Sequence, residues 1–106
     1  MVIIETPTFT KLITDLLNDE DYRLLQHTLA ANPETGDIVP GGGGIRKIRF
    51  ALPGKGKRGG VRIIYYWQKS EDRIYMLIAY IKSKQSTLTA EQTAILKRLV
   101  KEIEHG

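Results

Sequence analysis

Val61-Arg62-Ile63-Ile64-Tyr65-Tyr66-Trp67-Gln68 decides the fold, because it holds neither glycine nor proline and six of its eight residues are β-branched apolar or aromatic. Such a run favours an extended strand. Alternation sends Val61, Ile63, Tyr65 and Trp67 to one side of the pleat and Arg62, Ile64, Tyr66 and Gln68 to the other. Tyr65 and Trp67 alternate with Ile63 and so belong to the core. Arg62 shares its face with Tyr66, on the more polar side of the pleat, where it is not expected to hold the core.

Working outward, the polar Lys69-Ser70-Glu71-Asp72 is short enough for a hairpin connection, and Arg73 to about Lys82 forms the next strand. If that strand stays extended, Tyr80, Lys82 and Lys84 share one parity and project to one side. Upstream, Ile45 to Leu52 alternates Ile48, Phe50 and Leu52 with Lys47, Arg49 and Ala51, giving a third member of the sheet. Gly36 to Gly44 holds five glycines and Pro40 and reads as a loop. Before it, Phe9, Leu12, Ile13, Leu16 and Leu17 recur at helical spacing. Asn18-Asp19-Glu20-Asp21 then supplies a cap and acids for a second helix, which turns Tyr22, Leu25 and Leu29 inward and stops near Asn32-Pro33. Met1 to Glu5 is a first strand, ended by Thr6-Pro7. At the other end, Thr89 and Gln92 have the spacing of a capping box. Ile95, Leu96, Leu99, Val100 and Ile103 line the helix that follows. The order is strand, two helices, three strands, helix: one α+β domain over residues 1–106 with helices packed on an antiparallel sheet.

Composition narrows the chemistry. The 106 residues suit a single core, and the absence of cysteine removes disulfides, thiolate nucleophiles and Cys-ligated metals. No apolar run approaches the roughly 20 residues that span a bilayer, and the N-terminus does not read as a signal peptide; a cytoplasmic protein is expected, without a membrane partner. His27 and His105 have no second ligand at usable spacing, so neither a metal nor another cofactor is expected. No Ser-His-Asp set or carboxylate pair can be assembled either.

Charge is unevenly placed. Residues 1–37 carry seven acids and two bases, whereas residues 38–70 carry eight bases and no acid, half of all the lysine and arginine in the chain. That concentration is the footprint of a polyanion site. Gly54-Lys55-Gly56-Lys57-Arg58-Gly59-Gly60-Val61 matches G-x-G-x-x-G-x-V, but a strand follows where a dinucleotide fold needs a helix, and the protein-kinase motifs are missing. What remains is a hairpin connection bearing three cations, able to close over a nucleic-acid backbone. Lysine, arginine and tyrosine suffice for RNA cleavage without metal: arginine clamps the phosphate, and a lysine crowded by other cations, as in the Lys55, Lys57, Arg58 cluster, becomes a usable base.

Gly43-Gly44-Ile45-Arg46-Lys47-Ile48-Arg49, the segment from Gly54 through Trp67, and Tyr75-Met76-Leu77-Ile78-Ala79-Tyr80-Ile81-Lys82-Ser83-Lys84 resemble the HigB-type toxins of the RelE/ParE superfamily. The resemblance covers almost the whole chain, including the element order. It implies a RelE-like βααβββα fold and a bacterial toxin of a type II toxin–antitoxin pair. Such a toxin enters the ribosomal A site and cuts the mRNA there, needs no metal, and is held inactive by a co-expressed antitoxin. That antitoxin is expected to be a helix-turn-helix protein, through which alone the toxin would meet DNA. Carried over by motif, the catalytic set is Arg62, Lys55, Lys57, Tyr80 and Lys82, with Arg46, Lys47, Arg49, Arg58 and Lys84 expected to contact RNA or the ribosome. RelE proper tends to carry arginine late in the last strand, where this chain has Lys82 and Lys84. Two other activities fit the same fold: ParE-like inhibition of DNA gyrase, and RNA binding without catalysis.

Overall fold

The computed structural model describes residues 1–51 and 60–106. Its elements are β1 (Val2–Glu5), α1 (Pro7–Leu16), α2 (Asp19–Ala31), β2 (Asp37–Ile38), β3 (Arg46–Phe50), β4 (Val61–Gln68), β5 (Arg73–Ile81) and α3 (Ala90–His105). The expected α+β class is present, with one more strand than expected. Asp37 and Ile38, inside the stretch read as a loop, pair antiparallel with Lys47 and Arg46 and make a two-residue edge strand. The five strands lie in the order β1-β5-β4-β3-β2. All neighbours are antiparallel except β1 and β5, which run parallel from Val2↔Arg73 to Glu5↔Met76. Among the described residues no helix is long and apolar enough to cross a membrane.

Local chemistry explains the element ends. Thr6 caps α1 by accepting from the Phe9 amide at 3.0 Å, with Pro7 following in the first turn, where no amide donor is needed. Asn18 caps α2 through the Asp21 amide, and Asp19, Glu20 and Asp21 face the positive end of the helix dipole. Thr89 and Gln92 form the reciprocal capping box of α3. Gly36 is demanded by close approach: Tyr65 Oη accepts its amide at 2.9 Å, and a Cβ there would lie 2.8 Å from that oxygen.

Helices cover both faces of the sheet. On one, Phe9, Ile13 and Leu17 with Leu25 and Leu29 pack against Val61, Ile63, Tyr65, Ile74, Met76 and Ala79. On the other, Leu96 and Val100 of α3 pack against Ile45, Ile64, Leu77 and Tyr80. Two apolar positions expected inward are not: Leu12 is 36% and Ile95 50% exposed, because each lies at the margin of a stripe wider than the contact it serves. A larger departure concerns Arg62. Residues 61–65 of β4 are buried on both sides of the sheet, and Arg62 among them is only 5% exposed rather than standing on an open polar pleat.

One irregularity sets the site. The β4–β5 register runs Arg62↔Tyr80, Ile63↔Ala79 and Ile64↔Ile78, then resumes at Tyr65↔Met76, so Leu77 is an extra residue. Leu77 and Ile78 both join the cluster under α3. Beyond such a bulge the parity of a strand is reversed.

Candidate active site

Three strands each contribute one residue to a single row on the α3 side. Arg49 of β3 stands directly opposite Arg62 of β4, and Arg62 stands directly opposite Tyr80 of β5. Tyr80 is there because of the bulge. Strict alternation from Tyr75, which also packs under α3, would have turned Tyr80 toward α1 and α2.

Burial gives this row its character. Arg62 Nη1 and Tyr80 Oη are both closed to solvent, and neither has a hydrogen-bond partner among the described residues. Burial, then the charge of Arg49, lowers the Arg62 pKa from its ordinary value, while Tyr80 works in the opposite direction. Burial raises the Tyr80 phenol above its usual range, against the pull of Arg62. At neutral pH the pair therefore consists of a cation and a protonated phenol, both donors and both short of an acceptor. Buried donors left unpaired are costly, and an anion would satisfy them.

Two further features shape the surroundings. Tyr66 Oη donates to Glu104 at 2.5 Å, tying the last turn of α3 to β4. Burial and that bond push the Tyr66 pKa up to about 12. On the outer side of Tyr80, β1 pairs only as far as Met76, so the second half of β5 is a sheet edge. A groove of about 490 Å³ opens there, lined by Leu12, Asp15 and Leu16 of α1, by Ile78 and Tyr80, and by Lys84.

The expected site residues divide accordingly. Arg62 and Tyr80 are adjacent across the strands, and Lys47 and Arg49 alternate onto the same side of the sheet. Lys82 and Lys84 do not continue the strand with Tyr80 as expected. The chain leaves the extended conformation after Ile81, whose carbonyl accepts both the Lys84 and the Gln85 amides, at 3.0 and 3.1 Å, so parity no longer governs where these lysines point. Lys84 nevertheless borders the groove beside Tyr80, and Lys82 is exposed in the turn. Arg46 sits apart, in register with Tyr65. Its Nη1 donates to the Glu34 and Gly36 carbonyls, and Nη2 lies 3.8 Å from the Glu34 carboxylate. Lys55, Lys57 and Arg58, with the end of the first run at Leu52 and the rest of that connection, lie outside the described residues. The sequence did not disclose the Arg49–Arg62 pairing or the groove. The pairing depends on a register set across a long connection, and the groove depends on where β1 stops.

A family model described as RelE toxin of RelE / RelB toxin-antitoxin system matches residues 1–105.

Proposed function

The chain belongs to the RelE toxin family of a toxin–antitoxin system, and from that premise we propose that it is a HigB-type, ribosome-dependent endoribonuclease that cuts mRNA in the A site. The reaction is attack of a ribose 2′-oxygen on the adjacent phosphorus. The bond from phosphorus to the 5′-oxygen breaks, leaving a 2′,3′-cyclic phosphate and a free 5′-hydroxyl. Arg62 binds the phosphate oxygens and offsets the charge that grows on them in the transition state. The 2′ proton passes to Lys55 or Lys57, and the 5′-oxygen takes a proton from Tyr80 or Lys82. Arg46, Lys47, Arg49, Arg58 and Lys84 contribute to holding the RNA. A helix-turn-helix antitoxin is the proposed partner that silences the activity.

The observation that carries this reading is the pair of buried donors, Arg62 Nη1 and Tyr80 Oη, on residues directly opposite across β4 and β5 and without a hydrogen-bond partner among the described residues. The set holds no histidine poised near neutral pH, so the ribosome is expected to align the RNA. Purified protein is therefore expected to cut mRNA on programmed ribosomes and to leave naked mRNA intact. Equal cutting of both would remove the ribosome from the mechanism. Inhibition of DNA gyrase with no cut message would replace the reading with a ParE-like one.

A further inference from the structure

We propose that β1 is a dimerisation edge, along which a second copy of this chain pairs antiparallel about a two-fold axis at Ile3 and continues the sheet. β1 stands at one end of the strand order, so its outer side is a sheet edge. The Val2 amide donates to the Asp72 carbonyl at 3.3 Å, and the Thr6 amide to the Met76 carbonyl at 3.0 Å. Because backbone groups alternate in direction along a strand, Val2, Ile4 and Thr6 bond toward β5, while the amides and carbonyls of Ile3 and Glu5 point away from it. Those four groups have no hydrogen-bond partner among the described residues.

The edge also lacks the devices that keep sheets apart, which are lysine, proline or a bulge on the exposed strand. Val2-Ile3-Ile4 carries none of them, and the one charge of the strand, the Glu5 carboxylate, is turned inward to the Thr10 and Tyr22 hydroxyls. Val2 is 55% exposed, and Met1 and Leu24 of α2 are also open apolar side chains. Met1 and Ile3 border a hollow of about 300 Å³ against α2, and Leu24 borders a second of about 360 Å³; the two meet at His27.

A second copy is the occupant because the strand is complementary to itself. With the axis at Ile3, the Ile3 amide and carbonyl bond those of Ile3 in the copy, and each Glu5 amide donates to the Met1 carbonyl across from it. Val2 then lies opposite Ile4 and Ile3 opposite Ile3, so every pair within Val2-Ile3-Ile4 is apolar. An axis one residue later would set Ile3 opposite Glu5 and bring Pro7, where α1 begins, opposite Met1. A strand of four residues buries less than the roughly 1,600 Å² of a standard interface, so the dimer is weak and forms as concentration rises. β1 lies beside the first half of β5 and Tyr80 in the second, so the pairing is independent of the nuclease reading.

The test is analytical ultracentrifugation of the intact protein, purified free of antitoxin. Its weight-average mass is expected to rise with concentration from that of one chain toward that of two. Val2→Lys should hold it at one chain, whereas Ile38→Lys, at the exposed opposite edge of the sheet, should leave the rise intact. Cross-linking reads the register, since the chain has no cysteine of its own. Residues opposite in a non-hydrogen-bonded pair have Cα atoms about 4.5 Å apart, within disulfide reach, and diagonal neighbours lie about 7–8 Å apart. Val2→Cys mixed with Ile4→Cys should therefore form a mixed disulfide dimer under mild oxidation, and neither variant should do so alone. A wild type that keeps one chain's mass at every concentration would overturn the proposal and leave this edge to a strand of another protein. Dimerisation of Val2→Lys as strong as the wild type's, or its loss in Ile38→Lys, would put the contact elsewhere and overturn it too. Ile4→Cys that cross-links by itself more than the mixture does would overturn the pairing about Ile3.

Discussion

Arg62 is where folding and function pull in opposite directions. A guanidinium taken out of water, with one nitrogen unpartnered among the described residues and a second arginine opposite, costs folding free energy. Replacing it by an apolar side chain of similar length should remove that cost, as happens when other buried charges are exchanged for hydrophobes. Arg62→Met is therefore expected to unfold about 1 kcal/mol or more later than the wild type in a denaturant titration, while cutting no message. Arg62→Ala should lose 10² to 10³ in rate, roughly 3 to 4 kcal/mol of transition-state stabilisation. A Met variant less stable than the wild type would show that the arginine's stem holds the core, and an Ala variant that stays active would end its assigned role. The choice of arginine at this position was legible in the sequence. Its burial was not, because alternation reports which face a residue occupies and says nothing of what covers that face.

Among the elements, β5 carries the feature that matters most, the extra residue at Leu77. Its anchor is Thr6: the Thr6 hydroxyl accepts from the Phe9 amide and donates to the Leu77 carbonyl at 2.7 Å, so one side chain caps α1 and holds the bulge. Thr6→Val keeps the shape and loses both bonds. The cap is worth about 1 kcal/mol and the carbonyl left without its donor about 1 more. A loss of about 2 kcal/mol is thus expected in urea unfolding, together with a fall in kcat measured well below the denaturation midpoint, since Tyr80 lies three residues beyond Leu77. Unchanged turnover in a destabilised Thr6→Val would mean that the bulge holds its place without this bond. Periodicity located β5 and its neighbours, and cap chemistry located the helices. The short strand β2 escaped because only two residues pair, beside a glycine-rich stretch, which is too short a run to show an alternating pattern.

At the scale of the molecule, charge and layers coincide. The acid-rich helical hairpin α1–α2 covers one face of the sheet, while Lys47, Arg49 and Arg62 belong to the other. A polyanion is attracted to one side and repelled from the opposite one, which orients its approach. Lys55, Lys57 and Arg58 extend the same positive segment along the chain. Replacing all three by alanine is expected to weaken sedimentation with ribosomes and to flatten its dependence on salt, because fewer counterions are released on binding. An unchanged salt slope would reduce these three residues to solvated surface.

What the sequence determined by itself is the order and type of the main elements, the faces of β4 and the composition of the basic segment. Those follow from local periodicity, cap chemistry and residue counts, each contained within a few turns of chain. The tertiary structure alone decided that Arg62 is shut away from water, that Arg49 stands opposite it, and that Tyr80 joins them. Each of these depends on a register or on a layer formed by residues distant in sequence. The addition of one residue in β5 reverses the parity of everything after it. No pattern of apolar and polar residues marks that bulge, because both faces of β5 are lined with apolar side chains and either parity would bury them.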